Sequence, residues 1–232
     1  MHPLDNPIWL ALNTRHAHFA ESSERARRFV PEVSLLGGFE FDEDGAYESM
    51  AQIVGKGGTV GLFLEKPYAP RPGWNVIVDM PLPQMVCDNG GVDKAGRSGK
   101  GAAPVEFLEL EDADSPEMIQ LTALTKPGPF SSRTHELGTY LGIRENGKLV
   151  AMSGERLKVP GFTEVSAVCT HPDYLGKGYA RMLMTEVMRR IQQRGETACL
   201  HVRPDNARAI ELYRRLGFRE RRRLHLAVLR KD

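Results

Sequence analysis

The sequence predicts a mixed α/β fold, and two observations predict it. A β-favouring run at 164–170 is followed by a glycine turn at 174–180 and then by apolar residues at the spacing of one helix face. A second β-favouring run at 197–202 is followed by a second amphipathic helix that ends near Gly217. The 232 residues are 41% hydrophobic, which is ample for a packed core.

The N-terminal part predicts a small α/β unit. A helix is predicted from Ile8 to Ala20, after an Asn-Pro start. Two strands are predicted at 59–64 and 74–80, with a segment rich in Pro and Gly between them.

The domain boundary is predicted in a glycine-rich, polar stretch that has almost no apolar residues. We therefore predict an N-terminal domain over 1–87, a flexible linker over 88–103 and a C-terminal domain over 104–232. The role of the N-terminal domain is left open.

The C-terminal domain begins with a predicted strand at 105–110. A helix is predicted from Ser115 to about Thr125, since a Pro follows its first residue. Apolar runs at 140–144 and 149–154 flank an Asn-Gly pair, which predicts a hairpin.

The glycine turn predicts a phosphate-binding site. Gly176, Gly178 and the small Ala180 let the backbone approach a ligand closely. The N–H groups that open the next helix are unpaired and partly positive, which suits a pyrophosphate. A lone Gly-Lys-Gly is as often an ordinary connection, so the turn alone is a weak signal.

Two ordered motifs strengthen the signal. The segment 175–180 resembles the acyl-CoA turn [Q/R]-x-x-G-x-[G/A] of the GNAT superfamily, the Gcn5-related N-acetyltransferases, with Leu175 in place of the usual Gln or Arg. Asn206, Ala209, Tyr213 and the pair Gly217-Phe218 resemble the second helix signature of that family. The resemblance covers about residues 104–232. It implies a mixed, mostly antiparallel sheet flanked by helices, and the smaller N-terminal domain is a candidate degenerate GNAT-like half without a cofactor.

The resemblance also implies acetyl-CoA as co-substrate and no metal. The pantetheine arm would bind along the backbone of one strand, and the phosphates would bind at the turn. The implied cofactor-binding residues are Val168, Cys169 and Thr170 on the strand, Leu175, Gly176, Lys177, Gly178, Tyr179 and Ala180 in the turn, and Asn206, which also starts a helix.

Two side chains are catalytic candidates by resemblance. Glu164 lies where histone-modifying relatives carry a general base, and the alternative is an exposed structural carboxylate. A base or a water relay is needed because an alkyl amine is mostly protonated near neutral pH. Tyr213 lies where the family often places the proton donor for the leaving thiolate, and the alternative is a core tyrosine.

The acceptor site is predicted near the loop 126–134. Arg133 could bind an acceptor carboxylate, against the alternative of a solvated loop arginine. Glu155 and the adjacent Arg156 could face the acceptor, against the alternative of an exposed charged pair.

Composition limits the partners. The net charge of +1 argues against general nucleic-acid binding, and no apolar run is long enough to span a membrane. Three scattered cysteines, Cys87, Cys169 and Cys199, favour neither disulfides nor a metal site. No secretory signal is recognised at the N-terminus, so we expect a cytoplasmic protein, either a monomer or a homodimer.

The predicted activity is transfer of an acetyl group from acetyl-CoA to a primary amine of a small molecule or amino acid, by direct attack. Two alternatives stay open. One is a non-catalytic acyl-CoA sensor or interaction module, which the Leu175 departure favours, and the other is an acetyltransferase of protein lysines or N-termini.

Overall fold

A computed structural model of the chain describes residues 2–87 and 105–232, and these residues form one large sheet. The strand order is β1-β2-β3-β4-β11-β5-β10-β9-β8-β7-β6. The strands are β1 Ala20–Ser22, β2 Ala26–Phe29, β3 Leu36–Phe39, β4 Thr59–Leu64, β5 Trp74–Cys87, β6 Leu108–Leu110, β7 Tyr140–Glu145, β8 Lys148–Val159, β9 Phe162–Thr170, β10 Thr197–His201 and β11 Phe218–Lys231. The helices are α1 Pro7–Asn13, α2 Asp44–Val54, α3 Ser115–Thr125, α4 Tyr179–Gln193 and α5 Ala207–Arg215.

The sheet is mostly antiparallel, as expected. Only β3 with β4 and β9 with β10 pair in parallel in the described part of the chain. Each parallel pair is joined by a helix, α2 in the first case and α4 in the second. Parallel neighbours need such a crossover.

The strands of the two predicted domains alternate in the middle of the sheet. Strand β5, from the N-terminal part, lies between β10 and β11, and β11 lies between β4 and β5. The predicted linker 88–103 lies outside the described residues. The division into 1–87 and 104–232 therefore stays a prediction, and its two parts share one sheet.

Helix α4 packs on one face of the sheet, and its predicted apolar face is confirmed. Val165 of β9 and Leu200 of β10 lie beneath it. The α4 residues that are at most 2% exposed are Leu183, Met184, Val187, Met188 and Ile191.

Helix α1 packs on the opposite face. Because side chains alternate along a strand, the residues next to Val165 and Leu200 point to this other side. There Ile8 and Leu12 of α1 form a core with Val86 and Cys199. We call this side, which also carries Glu164, the α1 face.

The prediction that a helix extends from Ile8 to Ala20 is wrong beyond Asn13. The Asn13 and Thr14 side chains donate to the carbonyls of Trp9 and Leu10, four residues back, and this local bonding accompanies the helix end. His16 then turns inward, and its Nε2 accepts from the Lys158 N–H at 3.1 Å. Burial lowers the pKa of His16 to about 4, so the ring stays neutral and can accept.

The remaining predicted elements are largely confirmed. Strand β4 and helix α3 match their predicted ranges, and Asn146 and Gly147 both have positive φ in the hairpin turn. Strands β1 to β3 and helix α2 were not predicted, because each strand has at most four residues and carries little periodic signal.

All three cysteines are buried, and none forms a disulfide among the described residues. Among the residues that the structure describes, no helix is both long and apolar enough to cross a membrane.

Candidate active site

The predicted turn between β9 and α4 faces open space. Gly176 and Gly178 have φ of 86° and 81°, and a Cβ added to either would meet nothing within 4 Å. The positive φ, rather than crowding, therefore requires glycine here. Gly178 begins α4 without a side-chain cap, which leaves first-turn N–H groups and the positive end of the helix dipole for an anion.

The parallel strands β9 and β10 separate beside this turn. They pair only from Phe162 to Glu164 of β9, opposite Thr197 to Cys199 of β10. Strand β9 then continues to Thr170 without a β10 partner among the described pairings, while its other edge stays bonded to β8. The gap leaves one backbone edge of β9 available to an extended ligand.

The predicted strand residues Val168, Cys169 and Thr170 lie along this gap. Thr170 Oγ1 is buried and has no hydrogen-bond partner in the structure. Ala167 has a φ of 50° and, with Val168, lies opposite the single residue Ser153, which makes a bulge. Such a bulge re-aims backbone groups next to a site.

Tyr213 extends from α5 toward the same gap. Its side chain packs in the α4 core and is 9% exposed. Burial, and then the nearby Cys169 thiol, raise the pKa of Tyr213 to about 12. The phenol therefore keeps its proton near neutral pH and lies close to Cys169 of β9. The other predicted residue of this helix, Asn206, is its N-cap and accepts from the Ala209 N–H at 3.1 Å.

Comparisons with known proteins agree with this geometry. The family model described as FR47-like protein matches residues 140–226. The N-alpha-acetyltransferase RimI of Mycobacterium tuberculosis is 35% identical over 126 residues, which are 50% of this chain and 78% of the relative. The ribosomal protein bS18 alanine N-acetyltransferase of Escherichia coli K12 is 31% identical over 117 residues, 48% of this chain and 78% of the relative.

A solved structure from Novosphingobium aromaticivorans, assigned to the GNAT family, is 36% identical, with each chain fully covered and a TM-score of 0.87. This chain belongs to the GNAT superfamily. It is a GNAT-type N-acetyltransferase, and the predicted family and fold class are confirmed. GNAT acetyltransferases use acetyl-CoA as co-substrate, and the open glycine turn and the free β9 edge fit such an anionic, amide-containing molecule.

The structure of this GNAT chain places Glu164 in a buried ion pair. The carboxylate is 1% exposed, so the alternative of an exposed strand carboxylate is wrong. Arg156 donates from Nε to Oε2 at 2.8 Å and from a terminal nitrogen to Oε1 at 2.7 Å. His201 Nδ1 lies 2.7 Å from Oε1.

The hydrogen bonds of Gln84 determine which ring nitrogen of His201 donates and which accepts. Arg221 donates to Gln84 Oε1 at 2.9 Å, so the amide nitrogen of Gln84 faces the Leu4 carbonyl at 2.8 Å and His201 Nε2 at 3.0 Å. Because an amide nitrogen only donates, Nε2 must accept. In this arrangement Nδ1 of His201 donates to Glu164.

This network argues against Glu164 as a general base. Burial by itself would raise the pKa of the Glu164 carboxyl, but charge interactions and hydrogen bonds with Arg156 and His201 bring it well below its ordinary value. A carboxylate so stabilised accepts a proton poorly, since an effective base has a pKa near the working pH. Glu164 instead supplies a fixed negative charge on the α1 face.

The structure does not bring the two predicted acceptor residues to the gap. Glu155 is 1% exposed, on the α4 face, and binds Lys158 at 2.8 Å and Arg194 at 2.7 Å, so the predicted exposed pair with Arg156 is wrong. Arg133 forms a two-point ion pair with Glu136 in the loop after α3. Their acceptor roles stay predictions, without support from these contacts.

At the turn, Lys177 is held by the neighbouring hairpin. Its Nζ lies 3.3 Å from Glu145 Oε1, and Tyr179 donates to the same oxygen. Leu175, at the first motif position, is 48% exposed. Lys177 is thus the nearest cation of the turn that an arriving phosphate could draw away from a carboxylate.

Sequence reasoning placed Arg156 near the acceptor beside Glu155 but did not predict its ion pair with Glu164, and it missed His201, Gln84 and Tyr140. The sequence of a strand does not show which residue an arginine or histidine will contact, and the network around Glu164 joins four different strands, β5, β8, β9 and β10. For Tyr140, a nearby glycine at Gly154 was the available signal, as discussed below.

Proposed function

We propose that the protein transfers the acetyl group of acetyl-CoA to a primary amine of a small molecule or amino acid, by direct attack without an acyl-enzyme. The observation that carries the proposal is the gap between β9 and β10, which opens beside the glycine turn and which Tyr213 approaches from α5. Acetyl-CoA supplies the acetyl group as an activated thioester.

Residues of the turn and of β9 would bind and orient the co-substrate. The first-turn N–H groups of α4 and the Lys177 ammonium suit the phosphates. The free edge of β9 at Val168, Cys169 and Thr170 suits the amides of the pantetheine arm. Backbone N–H groups at the Ala167 bulge are candidates to stabilise developing oxyanion charge, for which one donor is typically worth ~3 kcal/mol.

Tyr213 would hold the proton that the departing thiolate needs. Its raised pKa keeps it protonated, and its position near Cys169 brings the hydroxyl to the gap. Cys169 does not have the low pKa of a nucleophilic cysteine, because burial raises the pKa of its thiol to about 11.

The enclosed α1 face supports a small acceptor. Glu164 is 1% exposed, and the side chains of Arg156 and His201 are 11% and 1% exposed. Residues of the N-terminal part, including Leu4 and Ile8, cover this face. We infer that covering the acceptor side is one role of the N-terminal part.

The second candidate acceptor is the α-amino group of a protein. The curated relatives favour it, since one is named an N-alpha-acetyltransferase and another acts on an alanine of ribosomal protein bS18. A flexible chain terminus is slender enough to enter an enclosed site.

Two measurements on the full chain test the function. Saturating acetyl-CoA should raise the melting temperature, because a ligand at a hundred times its Kd stabilises the folded state by ~2.7 kcal/mol. CoA release should then be followed with a panel of small amines, amino acids and short peptides with free N-termini. Binding without release on any acceptor would support the sensor alternative and sink the proposed activity.

Tyr213→Phe tests the proposed acid. We expect kcat to fall by roughly a hundredfold, since general acid catalysis typically contributes that much or more, while the acetyl-CoA melting shift is kept. The control is Tyr47→Phe, the same change at a buried tyrosine of the N-terminal part. An unchanged kcat in Tyr213→Phe would remove Tyr213 from the mechanism.

A further inference from the structure

Tyr140, at the start of β7, carries a buried hydroxyl that the fold itself does not use. The side chain is 1% exposed, and its Oη has no hydrogen-bond partner in the structure. Leaving a buried hydroxyl unpaired costs free energy, and native proteins do so rarely. An isolated hydroxyl of this kind points to a partner that arrives from outside the chain.

Gly154 shows where the hydroxyl points. Tyr140 pairs with Gly154 of β8, and Gly154 pairs with Ser166 of β9. A Cβ built on Gly154 would lie 2.3–2.6 Å from three carbons of the Tyr140 ring. The missing side chain therefore lets the ring lie across β8 toward β9.

Alternation places Glu164 on the same side of β9 as Ser166, and Arg156 on the same side of β8 as Gly154. Tyr140 thus lies on the α1 face, the side of the sheet that carries the Glu164–Arg156 pair, near where β9 begins to leave β10. Consistently, although burial is the main cause that raises the pKa of Tyr140, the charges of Arg156 and Glu164 also act on it.

The loop 126–134 packs against Tyr140. The Phe130 ring meets the Tyr140 ring edge-on, with centroids 5.7 Å apart and planes at 83°. The end of the loop is fixed to the N-terminal part, because the Arg133 N–H donates to the Glu32 carbonyl and Thr134 Oγ1 donates to that of Val33. Phe130 therefore covers the Tyr140 ring on the loop side.

Glu164 retains capacity for one more donor. A carboxylate has about four acceptor positions, and three are used by Arg156 and His201. Oε2 receives only the bond from Arg156 Nε. The nitrogen of an acceptor amine that bound between Tyr140 Oη and Glu164 Oε2 could therefore donate a hydrogen bond to each of these oxygens.

We propose that the Tyr140 hydroxyl binds the acceptor amine together with Glu164, and that this pair selects primary amines. The inference rests on the proposed function and defines its acceptor side. A primary ammonium has three N–H groups, so it can donate to both oxygens, whereas a tertiary ammonium has one. Selection by donor count explains why the hydroxyl is kept where the fold does not need it.

Tyr140→Phe is the direct test, because it removes one oxygen and keeps the ring. With the best acceptor of the panel, we expect KM for the amine to rise about tenfold, the equivalent of one hydrogen bond, while kcat changes by less than about threefold. The acetyl-CoA melting shift should be unchanged. The melting temperature itself should stay the same or rise, since an unpaired buried hydroxyl is lost.

The control is Tyr47→Phe, because Tyr47 Oη is the other tyrosine hydroxyl that is buried and unpartnered among the described residues. It should shift the melting temperature in the same direction and leave the amine KM unchanged. A rise in amine KM in Tyr140→Phe alone indicates a contact with the acceptor, whereas a purely structural effect would change the amine KM equally in both variants.

Two results would overturn the inference. The first is an unchanged amine KM in an active Tyr140→Phe enzyme. If no amine is turned over although acetyl-CoA binds, the proposed function fails. The role of Tyr140 is then tested by calorimetric binding of the same amines to the CoA-bound protein. Equal binding by the wild type and Tyr140→Phe, including no binding by either, overturns the role of Tyr140.

Discussion

Two Gly-Lys-Gly turns in the described residues have the same sequence and glycines of similar positive φ, but one ends a helix and the other begins a helix. In the first, residues 55–57, the glycines have φ of 71° and 76°, and in the second, residues 176–178, they have 86° and 81°. A Cβ added to any of the four glycines would meet nothing within 4 Å. The first turn ends α2, with Gly55 as its C-cap, and the second begins α4.

Helix polarity makes the difference between the two turns. At 55–57 the turn meets the negative end of a helix dipole, and its N–H groups are consumed, since Gly55 donates to Ala51 and Gly57 donates to Lys231. At 176–178 the turn meets the positive end and the open gap between β9 and β10. The tripeptide itself therefore does not make an anion site.

The start of α2 provides the reverse comparison. This helix also follows the first strand of a parallel pair, but its N-terminal region is Glu40-Phe41-Asp42-Glu43, with Glu43 as N-cap. The helix end has the favourable dipole, and the carboxylates repel an anion. An anion site therefore needs a helix N-terminus, flexible glycines and no nearby negative charge at the same place. Among the described parallel pairs, only the connection after β9 combines the helix N-terminus with the glycines.

Lys177→Glu should break this agreement most strongly. The change puts negative charge where phosphates are proposed to bind, so we expect acetyl-CoA affinity to fall roughly a hundredfold at low salt and less at high salt. Lys56→Glu makes the same change in the turn of residues 55–57 and should leave affinity within about twofold. Calorimetric titration with acetyl-CoA measures both. Equal losses in the two variants would contradict the comparison.

The sequence was sufficient to predict local structure at the candidate site wherever that structure depends on order along the chain. The turn at 176–178 and the N-cap at Asn206 involve residues within a few positions of each other, so a motif can carry them. The apolar face of α4 was predictable for the same reason, because its period is intrinsic to a helix.

What the sequence could not predict depends on contacts between distant strands. Glu164 is made a buried ion rather than a base by Arg156 on β8 and His201 on β10. The insertion of β5 between β10 and β11 joins segments more than a hundred residues apart, and neither strand pattern specifies its neighbour. The short strands β1 to β3 were missed because packing, rather than periodicity, defines them.

Gly178→Ala should have a smaller effect and separate conformation from binding. Alanine at a φ of 81° is strained, so we expect the free energy of unfolding to fall by about 1–2 kcal/mol. Gly57→Ala, at a φ of 76°, should lose a similar amount. Only Gly178→Ala should also weaken acetyl-CoA binding, by roughly tenfold, because its Cβ would project into the open space proposed for the phosphates. Urea unfolding and calorimetry together measure this, and equal affinities would deny the turn of residues 176–178 its proposed role.

Glu145→Gln should have the smallest effect, and it is expected to strengthen binding. Glu145 forms an ion pair with Lys177 and accepts a hydrogen bond from Tyr179. The Glu145 side chain is 32% exposed and the Lys177 side chain is 46% exposed. An exposed ion pair of this kind is weak, but its carboxylate also repels the proposed phosphates. Glutamine keeps an oxygen for both donors and removes the charge, so acetyl-CoA affinity should rise roughly threefold. Glu43→Gln, at the start of α2, should leave affinity unchanged, and weaker binding in Glu145→Gln would mean that Glu145 orients Lys177 toward the ligand instead of competing for it.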